Sequence, residues 1–563
     1  MLQCKAASVH PSAAIIVPKH TVDGTNREID IWEWMPVKKI DGVLVSEWEG
    51  KYIDKSGFLK EDILGLNQLD KFKSMEILIQ KNYGKKIDWN QIPLDDEETF
   101  KYFKRGWNED VFQFGTQGLM NYSRQVKPDT LAQLIAMTAL FRPGPMELNA
   151  HSDFADIKNG KKKPTYDFGM EEITGETFGL YVYQEQIMKG VVVGGLTEVE
   201  SDILRTTIKK KDVKTLSSYG EKFKAGYSKL LEKNGIENPK EYAEKVWAKL
   251  LAFSGYGFNK SHAAAYSIMS YWSQYMKVNY PLEFWTTSLQ YAKEGEVPYR
   301  LAELKKTGVE IEIRPPDVNF SEQTFTCDPK EQRIFFSLTK IKDVGEKVVP
   351  YIMAEREKGG RFFSLEEFVE RVPSKVNKKI IERLIVAGAF DIVENVKNPR
   401  DRKKLLQWYL DYKKAEMPKD YQVPESETNS FWVFEQKRLT GFGEVDYETM
   451  IRDAIPNKRV AKLYVNDFEF SNTKEGKEAT IAGKLIYYQE RSIKNGTMVS
   501  VNIDCNNTII PVTLWPDAVE RLPENISEYK NRVVAISGRV KKDKFKNQKV
   551  LYSDDRTKIY IIS

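Results

Sequence analysis

Phe253-Ser-Gly-Tyr-Gly-Phe-Asn-Lys-Ser-His-Ala-Ala-Ala-Tyr266, continued by Ser267 to Lys277, is the stretch around which the chain is organised. It starts as a glycine-punctuated loop and turns into a helix. Ser261 is the expected N-cap, and Ile268, Tyr271, Trp272, Tyr275 and Met276 recur at helical spacing on one face. Asn259, Lys260 and His262 stand at the mouth of that helix. Unpaired N–H groups at a helix start, with a lysine and a histidine beside them, suit phosphate oxygens. A capped core helix with a solvated lysine accounts for the same residues, so the stretch by itself leaves both readings open.

Composition bounds the rest. At 563 residues the chain exceeds one core, and several domains are expected. Hydrophobic residues at 41% and charged ones at 30% describe a soluble globular protein. No apolar run approaches a membrane span, and Met1-Leu-Gln-Cys-Lys-Ala is no signal peptide. Cys4, Cys327 and Cys505 lie far apart without a metal-binding pattern, which fits a reducing compartment and an expected cytoplasmic location. A net charge of +5 is mild, so local basic clusters carry more information than the total.

Gly255-Tyr-Gly-Phe-Asn-Lys-Ser-His-Ala-Ala-Ala-Tyr266 resembles the fingers motif of bacterial replicative DNA polymerase III alpha subunits, the C-family polymerases. Other blocks match in the same order, so the resemblance covers nearly the whole chain. It implies a multidomain α+β protein: part of an α/β palm at 1–70, mostly α-helical fingers at 71–320, and a tandem helix-hairpin-helix at 321–395. A helical linker at 396–458 and an all-β OB barrel at 459–563 complete it.

In the palm part, Ser8-Val-His-Pro-Ser-Ala-Ala-Ile-Ile-Val17 resembles a family segment, and His10 is read as structural. Glu28 and Asp30 have the spacing that puts two acids on one strand face, but they sit in a polar stretch that reads as solvated surface. The strand ending Leu59-Lys-Glu-Asp-Ile-Leu-Gly-Leu66 is similar to one whose aspartate is the family's third catalytic carboxylate. The resemblance therefore implies Asp62 as a catalytic metal ligand. Strand alternation points Lys60 to the same face, where it would meet triphosphate charge, while Glu61 and Ile63 depart from the family's apolar residues.

In the fingers, Val111-Phe-Gln-Phe-Gly-Thr116 matches a block in which Gly115 and Thr116 replace the family's Glu and Ser. Arg142-Pro-Gly-Pro145 matches another; its turn either holds Arg142 rigidly towards the nucleotide or is a connector. The basic loop Lys158 to Lys163 reads as solvated. Tyr183-Gln-Glu-Gln186 opens a helix. Ser201-Asp-Ile-Leu-Arg-Thr-Thr-Ile-Lys-Lys-Lys211 resembles the fingers helix that holds a triphosphate, with Arg205, Lys209 and Lys210 as nucleotide-binding cations; Thr206 replaces the family's second arginine. Arg205 and Lys209 share a helix face.

Phe336 to Val349 reads as helix, hydrophobic-Gly turn, helix, and Val376 to Phe390 as its second copy. Lys342, Gly345, Lys347, Lys378 and Lys379 are its expected DNA-binding residues, because such hairpins offer backbone N–H groups to phosphates without reading sequence. A plain αα-hairpin is the competing reading. Met417 to Ser426 interrupts the linker and contains no good sliding-clamp peptide; Gln422-Val-Pro-Glu-Ser lacks the apolar pair. From Arg459 the alternation is that of strands, and Tyr487, Tyr488 and Trp515 beside Lys541, Lys542, Lys544 and Lys546 suit stacked bases and phosphates.

The family's PHP domain and its Pro-Asp-x-Asp-x-Asp-Phe palm strand have no counterpart here. Two metal ions need several carboxylates, so one aspartate does not assemble the site. The expectation is the C-terminal half of a split DNA-directed DNA polymerase. It would transfer nucleotides from dNTPs to a primer 3′ hydroxyl with two Mg²⁺ ions shared with a separate half carrying PHP and palm. Primer-template DNA, dNTPs, that half, the sliding clamp and other replisome subunits are the implied partners, and no membrane. The alternative is a non-catalytic DNA-binding protein derived from such a polymerase; a preserved Lys60–Asp62 pair argues for the first.

Overall fold

The computed structural model describes residues 13–20, 25–40, 42–48, 50–62, 65–210, 213–293, 295–418, 421, 429–443, 445, 447–455, 458–506, 508–522, 525–530, 532–543 and 548–562. His10, Ile63, Lys211, Lys544, Lys546 and the Gln422 peptide lie outside the described residues, as do the side chains of Asp62, Lys209 and Lys210. The chain divides into two compact units, Met1–Ser74 and Met75–Ser563.

In the first unit Ala13–Ile16 pairs antiparallel with Leu59–Asp62, setting Ile15 across from Lys60 and Ala13 across from Asp62. Lys60 and Asp62 thus stand two positions apart on one paired strand. Val37–Ile40 and Val43–Ser46 form a second antiparallel pair. Glu28 is exposed beside Lys19 at 3.1 Å, and Asp30 caps the short Ile31–Trp34 helix through a capping box with Glu33. Both acids thus have surface or structural roles, as their polar setting predicts.

The second unit is helix-rich, with a six-stranded sheet near its end. Its first core gathers Phe100, Phe103, Phe114, Tyr122, Leu134, Met137 and Phe154 around Tyr271 of the long Lys260–Asn279 helix. A neighbouring core packs Ile187, Val191, Leu204, Phe223, Tyr227, Trp247 and Leu250 from four helices, Gln184–Val193, Glu198–Lys210, Val213–Lys233 and Pro239–Ser254. The Lys260–Asn279 helix buries only part of the apolar stripe that its spacing predicts: Tyr271 and Met276 are fully enclosed, Tyr275 is not. Its buried side runs through Ala263, Ser267, Ser270, Tyr271, Gln274 and Lys277, while Ile268 and Trp272 are only partly covered. Small and polar residues face inward because a buried polar pocket receives them. Lys277 Nζ, fully enclosed, donates to Glu303 Oε1 at 2.5 Å and to the carbonyls of Glu109 at 2.5 Å and Trp107 at 3.2 Å.

Burial and then the neighbouring Glu303 push the Glu109 carboxyl up to about 8. A raised carboxyl holds its proton in the folded chain to a pH at which the unfolded chain has released it. Its contribution to stability is therefore complete below about pH 4.5 and is lost as the pH rises through about 8. Denaturation midpoints measured across that window are expected to fall less steeply in Glu109→Gln; an unchanged slope would place the titration elsewhere.

Glu312–Arg314, Arg333–Phe335 and Thr326–Asp328 form a three-stranded sheet that leads into the hairpin region. There the first expected hairpin differs from its sequence pattern. Its leading helix is a single 3-10 turn, Leu338–Lys340, before the Val349–Gly359 helix, and the second copy, Val376 to Phe390, holds one helix, Lys378–Val386, which the Leu365–Arg371 helix precedes. Ser337 caps the short turn, and the Lys342 N–H is drawn off to the Leu439 carbonyl at 2.9 Å, which leaves the segment no room for a longer helix.

The C-terminal strands run Glu478–Ile493, Gly496–Asp504, Ile509–Leu514, Val533–Asp543, Gln548–Tyr552 and Ile559–Ile561. Gln548–Tyr552 pairs parallel with Ile509–Leu514 and antiparallel with Val533–Asp543, so five strands close into a ring and Ile559–Ile561 adds at one strand. Ile481, Val499, Val501, Ile503, Val512 and Ile536 fill its interior. Among the described residues no helix is long and apolar enough to cross a membrane.

Candidate nucleotide and nucleic-acid interface

Asn259, not Ser261, caps the Lys260–Asn279 helix, its side-chain oxygen accepting from the His262 N–H at 2.8 Å. The cap moves because the preceding residue is held in a bridge: the Phe258 N–H donates to the Val182 carbonyl at 3.1 Å and the Gln184 N–H to the Phe258 carbonyl at 2.9 Å. This bridge sets two helix starts side by side. The Tyr183-Gln-Glu-Gln186 block locks them together. Gln184 Nε2 donates to the Gly257 carbonyl at 2.9 Å, and buried Gln186 accepts from the Val182 and Tyr183 amides while donating to Ile173 and Thr177. Glu185 accepts the Lys260 N–H with both oxygens at 3.1 Å.

Arg142 joins the same mouth. Its Nε donates to the Ala139 carbonyl at 2.7 Å, its Nη2 to the Tyr256 carbonyl, and its guanidinium lies 4.5 Å from the Phe258 ring centre. Desolvation lowers its pKa from the usual arginine range. The turn therefore holds Arg142 rigidly. Gly144 is required there, because a Cβ would come within 2.1 Å of the Tyr256 ring. Thr116, where the family has Ser, caps the Gln117–Val126 helix.

Four of the sequence-predicted residues, Arg142, Asn259, Lys260 and His262, are thus brought to one place by blocks more than a hundred positions apart. Two of the first-turn amides are already taken, by Asn259 and Glu185. The Lys260 ammonium is held by Glu176 at 2.7 and 2.8 Å and lies 5.5 Å from the Tyr183 ring centre. Glu176 and Glu185 escaped the sequence reading; acids lining an expected anion site carry no local signal. The ring of exposed His262 lies tilted against Tyr266, centres 4.3 Å apart. Arg205 pairs with Asp202 of its own helix at 2.9 Å.

In the hairpin region Lys379 and Arg383 reach Asp343 at 3.1 and 3.2 Å, and Lys378 approaches Glu382 at 3.6 Å. Asp343 adopts φ 70° in the first turn, so these ion pairs tie the second hairpin to the first. Partial burial opposes ionisation of Asp343, but Lys379 and Arg383 hold it below its usual range. Lys347 is exposed and has no partner among the described residues; Gly345 faces open space. The loop Lys158 to Lys163 is solvated as expected, residues 159–163 all being exposed, and Lys158, Lys161 and Lys162 reach aspartates at its surface.

On the barrel, Trp515 is 40% exposed and stacks on Tyr552 at 6.2 Å, with Lys541 Nζ 5.4 Å from the Tyr552 ring centre. Tyr487 is exposed, while Tyr488 packs against the interior. Tyr552 was legible only as part of an alternating run, since its partner strands lie far away in sequence. Among the described residues no group of three or more His, Cys, Asp or Glu side chains could hold a metal ion. The described residues therefore do not by themselves make a two-Mg²⁺ site.

The bacterial DNA polymerase III alpha subunit finger domain matches residues 68–230, and a helix-hairpin-helix motif matches residues 310–401. The chain is 30% identical over 552 residues to the DNA polymerase III subunit alpha of Aquifex aeolicus, covering 95% of this chain and 44% of that one. It is 36% identical to that of Saccharopolyspora erythraea, over 68% of this chain and 31% of that one, and 34% to that of Thermus aquaticus, over the same shares. The chain thus spans less than half the length of these relatives.

Proposed function

We propose, from the premise that this chain belongs to the bacterial DNA polymerase III alpha subunits, that it supplies the C-terminal part of a replicative polymerase. In this reading the fingers hold the incoming nucleotide, the hairpins grip duplex, and the ring of strands serves as an OB-type surface for single strands. The carrying observation is the convergence of Arg142, Lys260 and His262 at one helix mouth from separate blocks. A triphosphate needs several cations fixed in place, and Arg142 is pinned by two carbonyls and a ring before any ligand arrives. Glu176 and Glu185 occupy the positions that phosphate oxygens would take, so nucleotide entry exchanges these carboxylates for phosphate. Arg205, Lys209 and Lys210 add charge to the same triphosphate.

Asp62 and Lys60 are this chain's contribution to the palm. The remaining acids that a divalent-ion site requires belong to palm sequence outside these 563 residues. Adding a polypeptide that carries PHP and palm to this chain is expected to give primer extension that neither supports alone. Robust extension by this chain alone, or none by the mixture, would overturn the reading and leave DNA binding as its activity.

The hairpins give a separate test. Replacing Lys342, Lys347, Lys378 and Lys379 together by alanine is expected to weaken duplex binding equally across unrelated sequences. The salt slope should flatten by about 0.9 for each phosphate that is no longer neutralised. Lys347 should account for more of the weakening than Lys379, whose ammonium is already shared with Asp343. A sequence-dependent effect would contradict recognition through phosphates alone.

A further inference from the structure

Where the Lys458–Lys462 helix meets the barrel, a cavity of about 260 Å³ opens between Arg459, Glu478, Arg556 and Lys558, with Val460 and Leu463 as its apolar wall. We propose that this cavity binds a phosphate monoester borne on a small apolar body, in chemical class a nucleoside monophosphate, either free or as the 5′-terminal nucleotide of a strand.

The charge arrangement carries the inference. Three guanidiniums converge on one carboxylate: Arg459, Arg556 and Arg539 reach Glu478 at 3.2, 3.3 and 3.8 Å. Arg539 also meets Asp554 at 2.8 Å, the second carboxylate of the cavity. Lys558 lines the same space, is exposed, and its ammonium has no partner among the described residues. Among the lining residues Arg459, Arg556 and Lys558 face Glu478 and Asp554, so the cavity carries a net positive charge that favours a phosphate monoester, which bears about −1.5 to −2 at neutral pH. A guanidinium carries five N–H donors, so three of them gathered on one carboxylate can serve a second anion as well. Phosphate, with three oxygens, accepts from several such forks at once.

Size and walls decide the rest of the ligand. The volume lies just below the range of about 300–1,000 Å³ usual for organic ligands, which fits one nucleotide and not a dinucleotide. A bare inorganic anion would leave half-buried Leu463 facing water, whereas a base or sugar covers it. None of the lining residues belongs to the Lys260 mouth, so nothing in the site depends on the polymerase reading.

Calorimetric titration of the full chain tests this, with deoxyadenosine monophosphate, deoxyadenosine, and one oligonucleotide bearing either a 5′-phosphate or a 5′-hydroxyl. The monophosphate should bind and deoxyadenosine should not. Arg556→Ala and Lys558→Glu should each weaken monophosphate binding about tenfold or more, the worth of one charge-assisted hydrogen bond. Lys558→Arg should retain it, and Lys101→Ala, on the remote Glu97–Arg105 helix, should leave it unchanged. A preference for the 5′-phosphorylated strand identifies the strand end as the natural source; equal binding of both strands with monophosphate binding intact identifies free nucleotide. No monophosphate binding, binding equal to that of deoxyadenosine, or affinity unmoved by Arg556→Ala and Lys558→Glu would overturn the proposal.

Discussion

Asp62→Asn is expected to lower primer extension by the reconstituted polymerase about 10²–10³-fold while duplex affinity stays nearly unchanged. The substitution removes a negative charge and keeps the shape. Asp62 ends the Leu59–Asp62 strand, whose register against Ala13–Ile16 is fixed by backbone hydrogen bonds that asparagine preserves. An effect confined to extension would therefore report charge at that position and not a disrupted strand. Lys60, two positions earlier on the strand, should act differently: Lys60→Ala is expected to raise the KM for nucleotide more than it lowers kcat. Single-turnover extension at varied dNTP separates the two. Full activity of the Asp62→Asn mixture would remove Asp62 from the site.

Lys437→Ala should cost up to about 3–5 kcal/mol of local stability, because buried Asp504 loses the ammonium that touches it and keeps the Coulombic pull of Lys484. Lys437, on the Asn429–Thr440 helix, and Asp504, at the end of the Gly496–Asp504 strand, meet at 2.9 Å with side chains only 1% and 0% exposed. Tyr447 adds a hydrogen bond to the Asp504 carbonyl at 3.3 Å, and Asn506 exchanges two bonds with Val445 at 2.7 Å each. This is how the linker helix is fastened to the barrel. Hydrogen exchange over residues 496–504 is the appropriate measurement, because a chain with several cores does not unfold in one step. Equal exchange in Lys437→Ala and the parent would show that the pair contributes nothing to the attachment.

Much of the candidate site was legible because its signals are local. The loop from Phe253 to His262, the Arg142-Pro-Gly-Pro145 turn and the Tyr183-Gln-Glu-Gln186 block were each recognisable from consecutive residues. Their convergence was not, since nothing in Arg142 predicts the Tyr256 carbonyl, and nothing in Gly144 predicts the Tyr256 ring that excludes a Cβ. The same limit explains Glu176 and Glu185. An acid beside a lysine site becomes visible only when the chain folds back across some eighty positions.

Helix and strand periodicity, set by neighbours a few residues apart, determined by themselves that 260–279 is helical and that the last hundred residues are strands. Tertiary structure alone decided the rest. It chose Asn259 over Ser261 as the cap through the Phe258–Val182 bridge, and it turned the long helix so that Lys277 points inward. The first choice costs little, as either residue caps well. The second is possible only because Glu303 and two carbonyls surround the ammonium, for a buried charge without such partners would be expelled. Closure of the barrel follows the same logic. Gln548–Tyr552 finds partners on both sides only once Ile509–Leu514 and Val533–Asp543 are already in place, and that pairing is a property of the assembled sheet.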